Sequence, residues 1–161
     1  MIAKKKLVIS AICLFLLPFG CKQEAPKSVE VLQNFASGEI SRRHTELNGK
    51  KEGMMTEYYL DGKVRSKRFF KNDQQVGRTE FYFPKGQIKE VQFFNENGLK
   101  QGNDSSFYEN GKPQMVLGFE EGKKHGYLRK WSPEGQLIYE ARYELDTLVE
   151  VKGEVLKKRN R

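Results

Sequence analysis

The chain has 161 residues, enough for one domain, and its two cysteines exclude a fold stapled by several disulfides. Its formal net charge is +8, with 31% charged and 37% hydrophobic side chains. Lys4, Lys5 and Lys6 supply three of those charges and the segment 152–161 supplies four, so residues 21–151 carry only +1; a continuous basic stripe is lacking and no nucleic-acid partner is expected.

In chain order, the basic start is followed by the uncharged run LVISAICLFLLPFG, Leu7 to Gly20. About 20 apolar residues are needed to span a bilayer as a helix, so residues 1–20 read as a signal peptide rather than an anchor. A small residue followed by Cys21 resembles the lipobox of bacterial lipoproteins, although Pro18 and Phe19 stand where a branched aliphatic and a small residue are usual. The resemblance implies acylation of Cys21 and tethering to a membrane through residues 21–28. Lys22 in place of the usual retention Asp points to the outer membrane, and KQE after the Cys resembles surface-export signals. The alternative is an ordinary secretory signal with an incidental Cys. Cys13 lies in the apolar run and leaves with it, so no disulfide forms within the mature chain.

From Val29 to Tyr143 the chain repeats. Glycines fall at 53 and 62, 77 and 86, 102 and 111, 126 and 135, nine apart within a pair, with steps of 15, 16 and 15 between pairs. Aromatics keep the same metre: Gly53-Tyr58-Gly62-Phe70, Gly77-Tyr82-Gly86-Phe94, Gly102-Phe107-Gly111-Phe119 and Gly126-Trp131-Gly135-Tyr143. The period is about 24 residues, the scale of a supersecondary unit that must stack on its neighbours. A half-repeat around Gly38 precedes the first full copy.

Two turn chemistries alternate along the metre. Tyr59-Leu60-Asp61-Gly62, Phe83-Pro84-Lys85-Gly86, Tyr108-Glu109-Asn110-Gly111 and Ser132-Pro133-Glu134-Gly135 read as type I turns closed by a left-handed glycine, which leave a bulge. Asn48-Gly49, Asn72-Asp73, Asn97-Gly98 and Glu121-Gly122 read as two-residue hairpins. Strand, bulged turn, strand and tight turn in alternation predict an all-β fold: an elongated, curled single-sheet antiparallel meander of about ten short strands. Residues 144–161, where Glu150 stands in the next glycine slot, read as a cap and basic tail.

Period-two alternation puts Tyr58, Val64 and Phe70 on one predicted core face, with Tyr82, Ile88 and Phe94, then Phe107, Met115 and Phe119, then Trp131, Tyr139 and Tyr143. The same register sends Ser66, Arg68, Glu90 and Gln92 to that face, which points to a second bulge. On the opposite face it gathers Phe69, Phe81, Phe83, Val91 and Phe93, an apolar patch of the kind that marks a contact site. The bland alternatives are a parity shift that buries some of these rings, or a C-terminal segment, Leu145 to Leu156, folded back as a lid.

The G-x4-Y-x3-G core with its trailing aromatic resembles the MORN-variant repeat over Val29 to Tyr143, and proteins labelled YwqK-type toxin-antitoxin antitoxins share it. The resemblance implies a scaffold or binding surface and carries over no catalytic residue. Asp73, in a usual glycine position, departs from it.

GKKHG, Gly122 to Gly126, lacks the G-x4-G-K-[ST] spacing and the following helix of a phosphate loop. His44 and His125 are the only histidines, so neither a zinc set nor a Ser-His-Asp arrangement is expected, nor any cofactor or metal. Asp104, Ser105 and Ser106 read as a solvated strand face. Glu120, Glu121 and Glu140 lack the convergent cleft of a glycosidase. The sequence therefore predicts a non-catalytic envelope lipoprotein that binds a protein or glycan. An antitoxin-like immunity protein is the alternative, and a hydrolase of envelope polymers the less favoured third.

Overall fold

The computed structural model describes residues 27–151 and 154–155; the expected signal peptide, Cys21, most of the tether and the end of the basic tail lie outside them. The described residues form one antiparallel sheet of twelve strands in chain order. These are β1 (Ser28–Asn34), β2 (Ile40–Leu47), β3 (Lys50–Tyr58), β4 (Val64–Lys71), β5 (Gln74–Tyr82), β6 (Ile88–Phe94), β7 (Gly102–Phe107), β8 (Pro113–Glu120), β9 (Lys123–Trp131), β10 (Leu137–Glu144), β11 (Thr147–Val151) and β12 (Glu154–Val155). β1 and β12 end the order, so the sheet is open and not a barrel.

Turn chemistry dictates this meander. Along one edge lie tight turns whose central residues both take positive φ: Asn48-Gly49 (52° and 78°), Asn72-Asp73 (50° and 69°) and Glu121-Gly122 (46° and 79°). Asp73 tolerates the glycine position because its carboxylate accepts the Lys51 backbone N–H at 2.8 Å, one repeat back. Leu145-Asp146 (46° and 68°) makes a further tight turn, and Asp146 accepts the Lys124 N–H at 2.9 Å in the same way. The C-terminal segment therefore extends the sheet as β11, paired with β10, and its described part is not a lid.

Along the other edge the bulged turns close as expected. In each, the first residue donates its N–H to the carbonyl four residues on and accepts from the glycine three residues on, at 2.8 to 3.0 Å. Asn95–Leu99 adopts this same five-residue form instead of the expected two-residue hairpin. The Asn95 side chain accepts the N–H groups of both Asn97 and Leu99 at 3.0 Å, which favours the wider turn. Its extra residue accounts for the single step of 16 in the metre.

Bulges decide which side chains share a face. In the register Glu57 is opposite Ser66, whereas Tyr58 is opposite Val64, so Arg65 is the extra residue and parity flips across the turn. A second slip separates the repeats: His44 stands opposite Gly53 to Met55, Arg68 opposite Gly77 to Thr79, and Gly118 opposite His125 to Tyr127. This slip adds two residues and so keeps parity: Ser66, Arg68, Glu90 and Gln92 stay on one face, where Ser66 is fully buried, and the expected parity-changing second bulge is not what the described strands contain. Gly53, Gly77 and Gly126 sit inside strands at these slips and, like Gly102, take φ of 68° to 81°.

The predicted core face changes accordingly. Tyr58, Tyr82, Phe107 and Trp131 are only half-buried. One face, the first, instead buries Met55, Glu57, Ser66, Thr79, Asp104 and Ala141, because directly opposed residues of an antiparallel ladder point the same way. Near the tight-turn edge each trailing aromatic lies opposite a strand glycine: Phe70 and Gly53, Phe94 and Gly77, Phe119 and Gly102, Tyr143 and Gly126. Lys51, Lys100 and Lys124, two residues before three of those glycines, hold their ammonium groups 5.7, 4.8 and 5.4 Å from the ring centres of Phe70, Phe119 and Tyr143. Phe70 is also opposite Gln75, Phe94 opposite Lys100 and Phe119 opposite Lys124, so rings and polar chains alternate across the sheet as a spine.

Candidate binding surface

Ladder pairs can be followed across the first face near the bulged-turn edge. Arg42 is opposite Glu57, Glu57 opposite Ser66, Ser66 opposite Phe81 and Phe81 opposite Glu90. The row continues through Ser106, Met115, Lys130 and Tyr139. It forms the floor of a trough that crosses β2 to β10. The wall is built by the bulge residues Arg65, Lys89, Gln114 and Ile138, and by the turn aromatics Phe35, Tyr59, Phe83 and Tyr108.

Openings along the trough measure about 130 Å³ beside Arg42 and Glu57, 350 Å³ between Tyr59 and Lys89, 500 Å³ between Phe83 and Tyr108, and 320 Å³ between Tyr108 and Trp131. Two of the wall rings are fixed in place. The Tyr59 hydroxyl donates to the Tyr82 carbonyl at 2.6 Å, and the Tyr108 hydroxyl donates to the Trp131 carbonyl at 2.7 Å, each one repeat ahead. A ring tied at its far end loses little freedom when a ligand lands on its face.

At one end of the floor Glu57 is buried and saturated. One oxygen accepts the Arg42 guanidinium at 2.8 and 3.2 Å; the other accepts the Ser66 hydroxyl at 2.9 Å and Arg68 at 2.9 Å. Burial alone would raise its carboxyl, but the hydrogen bonds from Ser66 and Arg42 and the charges of Arg68 and Arg42 outweigh it and hold Glu57 below the usual range. Arg65 is a further 3.5 Å neighbour and remains largely exposed, so its charge is in excess of what Glu57 needs.

Asp104 is also buried on the first face, contrary to the solvated strand expected for it; burial raises its carboxyl despite the ion pair with Lys100. On the second face Tyr82 is pushed up to about 12, by burial and by its 2.7 Å bond to Glu80. The one serine hydroxyl paired with these carboxylates, that of Ser66, is fully buried, and among the described residues no group of His, Cys, Asp and Glu could hold a metal ion.

The five residues of the expected apolar patch do not share a face. Phe69 and Phe93 are exposed on the second face, opposite Met54 and Arg78. Val91 is on that face but buried, opposite Glu80. Phe81 lies on the first face, opposite Glu90 and Ser66, with the Arg68 guanidinium 5.6 Å from its ring centre. Phe83 sits in the turn and lines the trough. The parity flip at Lys89, the bulge residue of this repeat, separates them. Cys21, the expected lipid-attachment residue, lies outside the described residues.

The trough floor has no signature in the sequence because its residues share no chemistry. The copies of one floor position are Glu57, Phe81, Ser106 and Lys130, and those of the next are Ser66, Glu90, Met115 and Tyr139. Only repeat position, counted four residues after each glycine of a pair, connects them.

Residues 51–72, 75–96 and 124–144 match the family model described as the MORN repeat variant. These three stretches carry MORN-type repeats. Each matched stretch begins at or next to a spine position, Lys51, Gln75 or Lys124, and runs through the bulged turn to the trailing aromatic. The copy from Gly102 to Phe119 keeps the same strands and turns between the matched stretches. No curated protein matches the chain by sequence.

Proposed function

We propose that this MORN-type sheet is a non-catalytic binding scaffold, held at the cell envelope through an acylated Cys21, and that it receives an envelope partner, protein or glycan, in the first-face trough. MORN repeats in general support a repeat-built binding surface, and they carry no catalytic residue to this chain. One observation carries the choice of surface: a continuous row of floor positions crosses nine strands, and its residue type changes in every copy while its geometry does not. A fixed frame with a variable row is how a repeat array specifies a ligand along its length.

The test is crosslinking in intact cells followed by identification of what is captured, comparing wild type with Ser106→Trp, which intrudes on the 500 Å³ opening between Phe83 and Tyr108. The reading predicts that capture is lost while the β-sheet signature and the melting temperature are kept. Undiminished capture by a folded Ser106→Trp protein contradicts it. Envelope tethering is tested separately with a palmitate analogue, which should label wild type and not Cys21→Ser.

A further inference from the structure

The trough has a pitch. Successive turn aromatics Tyr59, Phe83 and Tyr108 occupy the same place in successive repeats, two strands apart, which sets them about 10 Å from one another. Each is half-buried, with its turn closed by the same pair of backbone hydrogen bonds. A flat apolar surface recurring at that interval suits a polymer that presents a flat apolar face at the same interval. A β-linked glycan does this once per disaccharide, since the axial C–H groups on one side of a pyranose stack on an aromatic ring while its hydroxyls reach sideways. A single nucleic-acid strand advances less per base and would need rings more closely spaced.

Between the rings stand cations in excess of their partners. Arg65 lies beside a Glu57 already saturated by Arg42, Arg68 and Ser66. Lys89, at the same position one repeat on, leans on the Phe83 ring at 5.9 Å and has no carboxylate within ion-pair distance among the described residues. Lys130 on the floor leans on Tyr139 at 5.6 Å in the same situation. Of the carboxylates nearby, Glu109 is paired with Lys85 at 3.3 Å, and Glu90 on the floor accepts the Gln92 amide at 2.6 Å, so Arg65, Lys89 and Lys130 outnumber the one acid left without an ion pair. Ring and surplus cation therefore alternate along the trough, and this complements a chain in which a flat sugar and a carboxylate-bearing sugar alternate.

We infer that the trough binds a linear acidic glycan, one disaccharide per repeat, with Tyr59, Phe83 and Tyr108 as stacking platforms and Arg65, Lys89 and Lys130 as carboxylate contacts. This rests on the scaffold reading above and gives its ligand a chemical class.

Calorimetric titration of the purified full chain tests it, with hyaluronan oligosaccharides of increasing length, neutral chitin oligosaccharides of matched length, and a single-stranded oligothymidylate. The expected result is binding of the acidic oligosaccharides that tightens with each added disaccharide until the trough is full. Phe83→Ala and Lys89→Ala should each weaken it about tenfold or more, with unchanged melting temperature, whereas Lys67→Ala on the second face should leave it unchanged. Equal binding of the neutral series, affinity independent of length, tighter binding of the oligothymidylate, or Phe83→Ala and Lys89→Ala proteins that bind like wild type would overturn the inference. If no sugar binds while Ser106→Trp still abolishes capture in cells, the glycan is wrong and the scaffold stands; if capture also survives, both fall.

Discussion

The tight-turn edge and the bulged-turn edge of this sheet are built from the same repeat, yet they keep different things constant. Near the tight turns the residue types recur: Phe70, Phe94, Phe119 and Tyr143 each stand opposite a strand glycine, and lysine stands over three of the four rings. Near the bulged turns only the positions recur, and Glu57, Phe81, Ser106 and Lys130 replace one another on the floor. Chemistry repeated in every copy serves the fold, which every copy needs. Chemistry that changes from copy to copy on an unchanged backbone is free to serve a ligand.

The largest expected effect breaks the spine. Phe70→Ala removes a buried ring from its glycine, its lysine and the next strand, and should cost about 3 to 5 kcal/mol. The alanine variant of a wall ring, Phe83→Ala, should leave stability nearly unchanged, because that ring is half-exposed in a turn whose backbone hydrogen bonds hold it closed. Chemical denaturation of the two proteins compares the edges directly, and equal losses would erase the distinction.

Next comes Gly118, which falls outside the glycine metre. A methyl group there would stand 2.1 Å from the His125 carbonyl oxygen, a backbone atom that cannot step aside cheaply. Gly118→Ala should cost about 1 to 3 kcal/mol or more, and hydrogen exchange should show the loss concentrated at the β8–β9 junction. Uniform loss of protection through the sheet would mean that the repeats do not unfold as near neighbours.

A smaller effect separates trough from spine by pH. The folded carboxyl of Glu57 lies below its ordinary 4.5, so its contribution is present above that value and is lost as pH falls through the folded value. Glu57→Gln should therefore lower stability by about 1 to 3 kcal/mol at neutral pH, with the difference from wild type shrinking below pH 4.5. Asp104 has the opposite sign: its raised carboxyl penalises the charged form, so Asp104→Asn should cost less at neutral pH than in acid. The smallest effect is expected on the second face, where Phe69→Ser and Phe93→Ser remove exposed rings and should cost about 1 kcal/mol or less.

The legibility of the sequence follows the same division. The meander, its period and most of its turns are readable because glycine and asparagine mark positive φ directly, and the trailing aromatic marks the strand glycine opposite it. The Asn97-Gly98 turn was misread because the asparagine that decides it is Asn95, two residues earlier, acting through its side chain. The faces differ from the sequence expectation for a physical reason: one extra residue at each bulged turn reverses alternation, whereas the slip at each strand glycine adds two residues and leaves it unchanged, and no residue type announces the difference. The trough floor was invisible because Ser106 and Lys130 share a position and nothing else. The tight turn at Leu145-Asp146 was missed because leucine at positive φ (46°) is no turn signal.

All of this depends on the register that puts Phe81 with Glu90 and away from Val91. Paired cysteines measure it directly, since opposed residues of an antiparallel pair hold their Cβ atoms about 4.5 to 5.5 Å apart, close enough for a disulfide with slight adjustment. In a chain with Cys13→Ser and Cys21→Ser, oxidation of the Phe81→Cys, Glu90→Cys protein should give an intramolecular crosslink, and oxidation of the Phe81→Cys, Val91→Cys protein should not. The reverse outcome would place Phe81 and Val91 on one face, dissolve the trough floor and contradict the account.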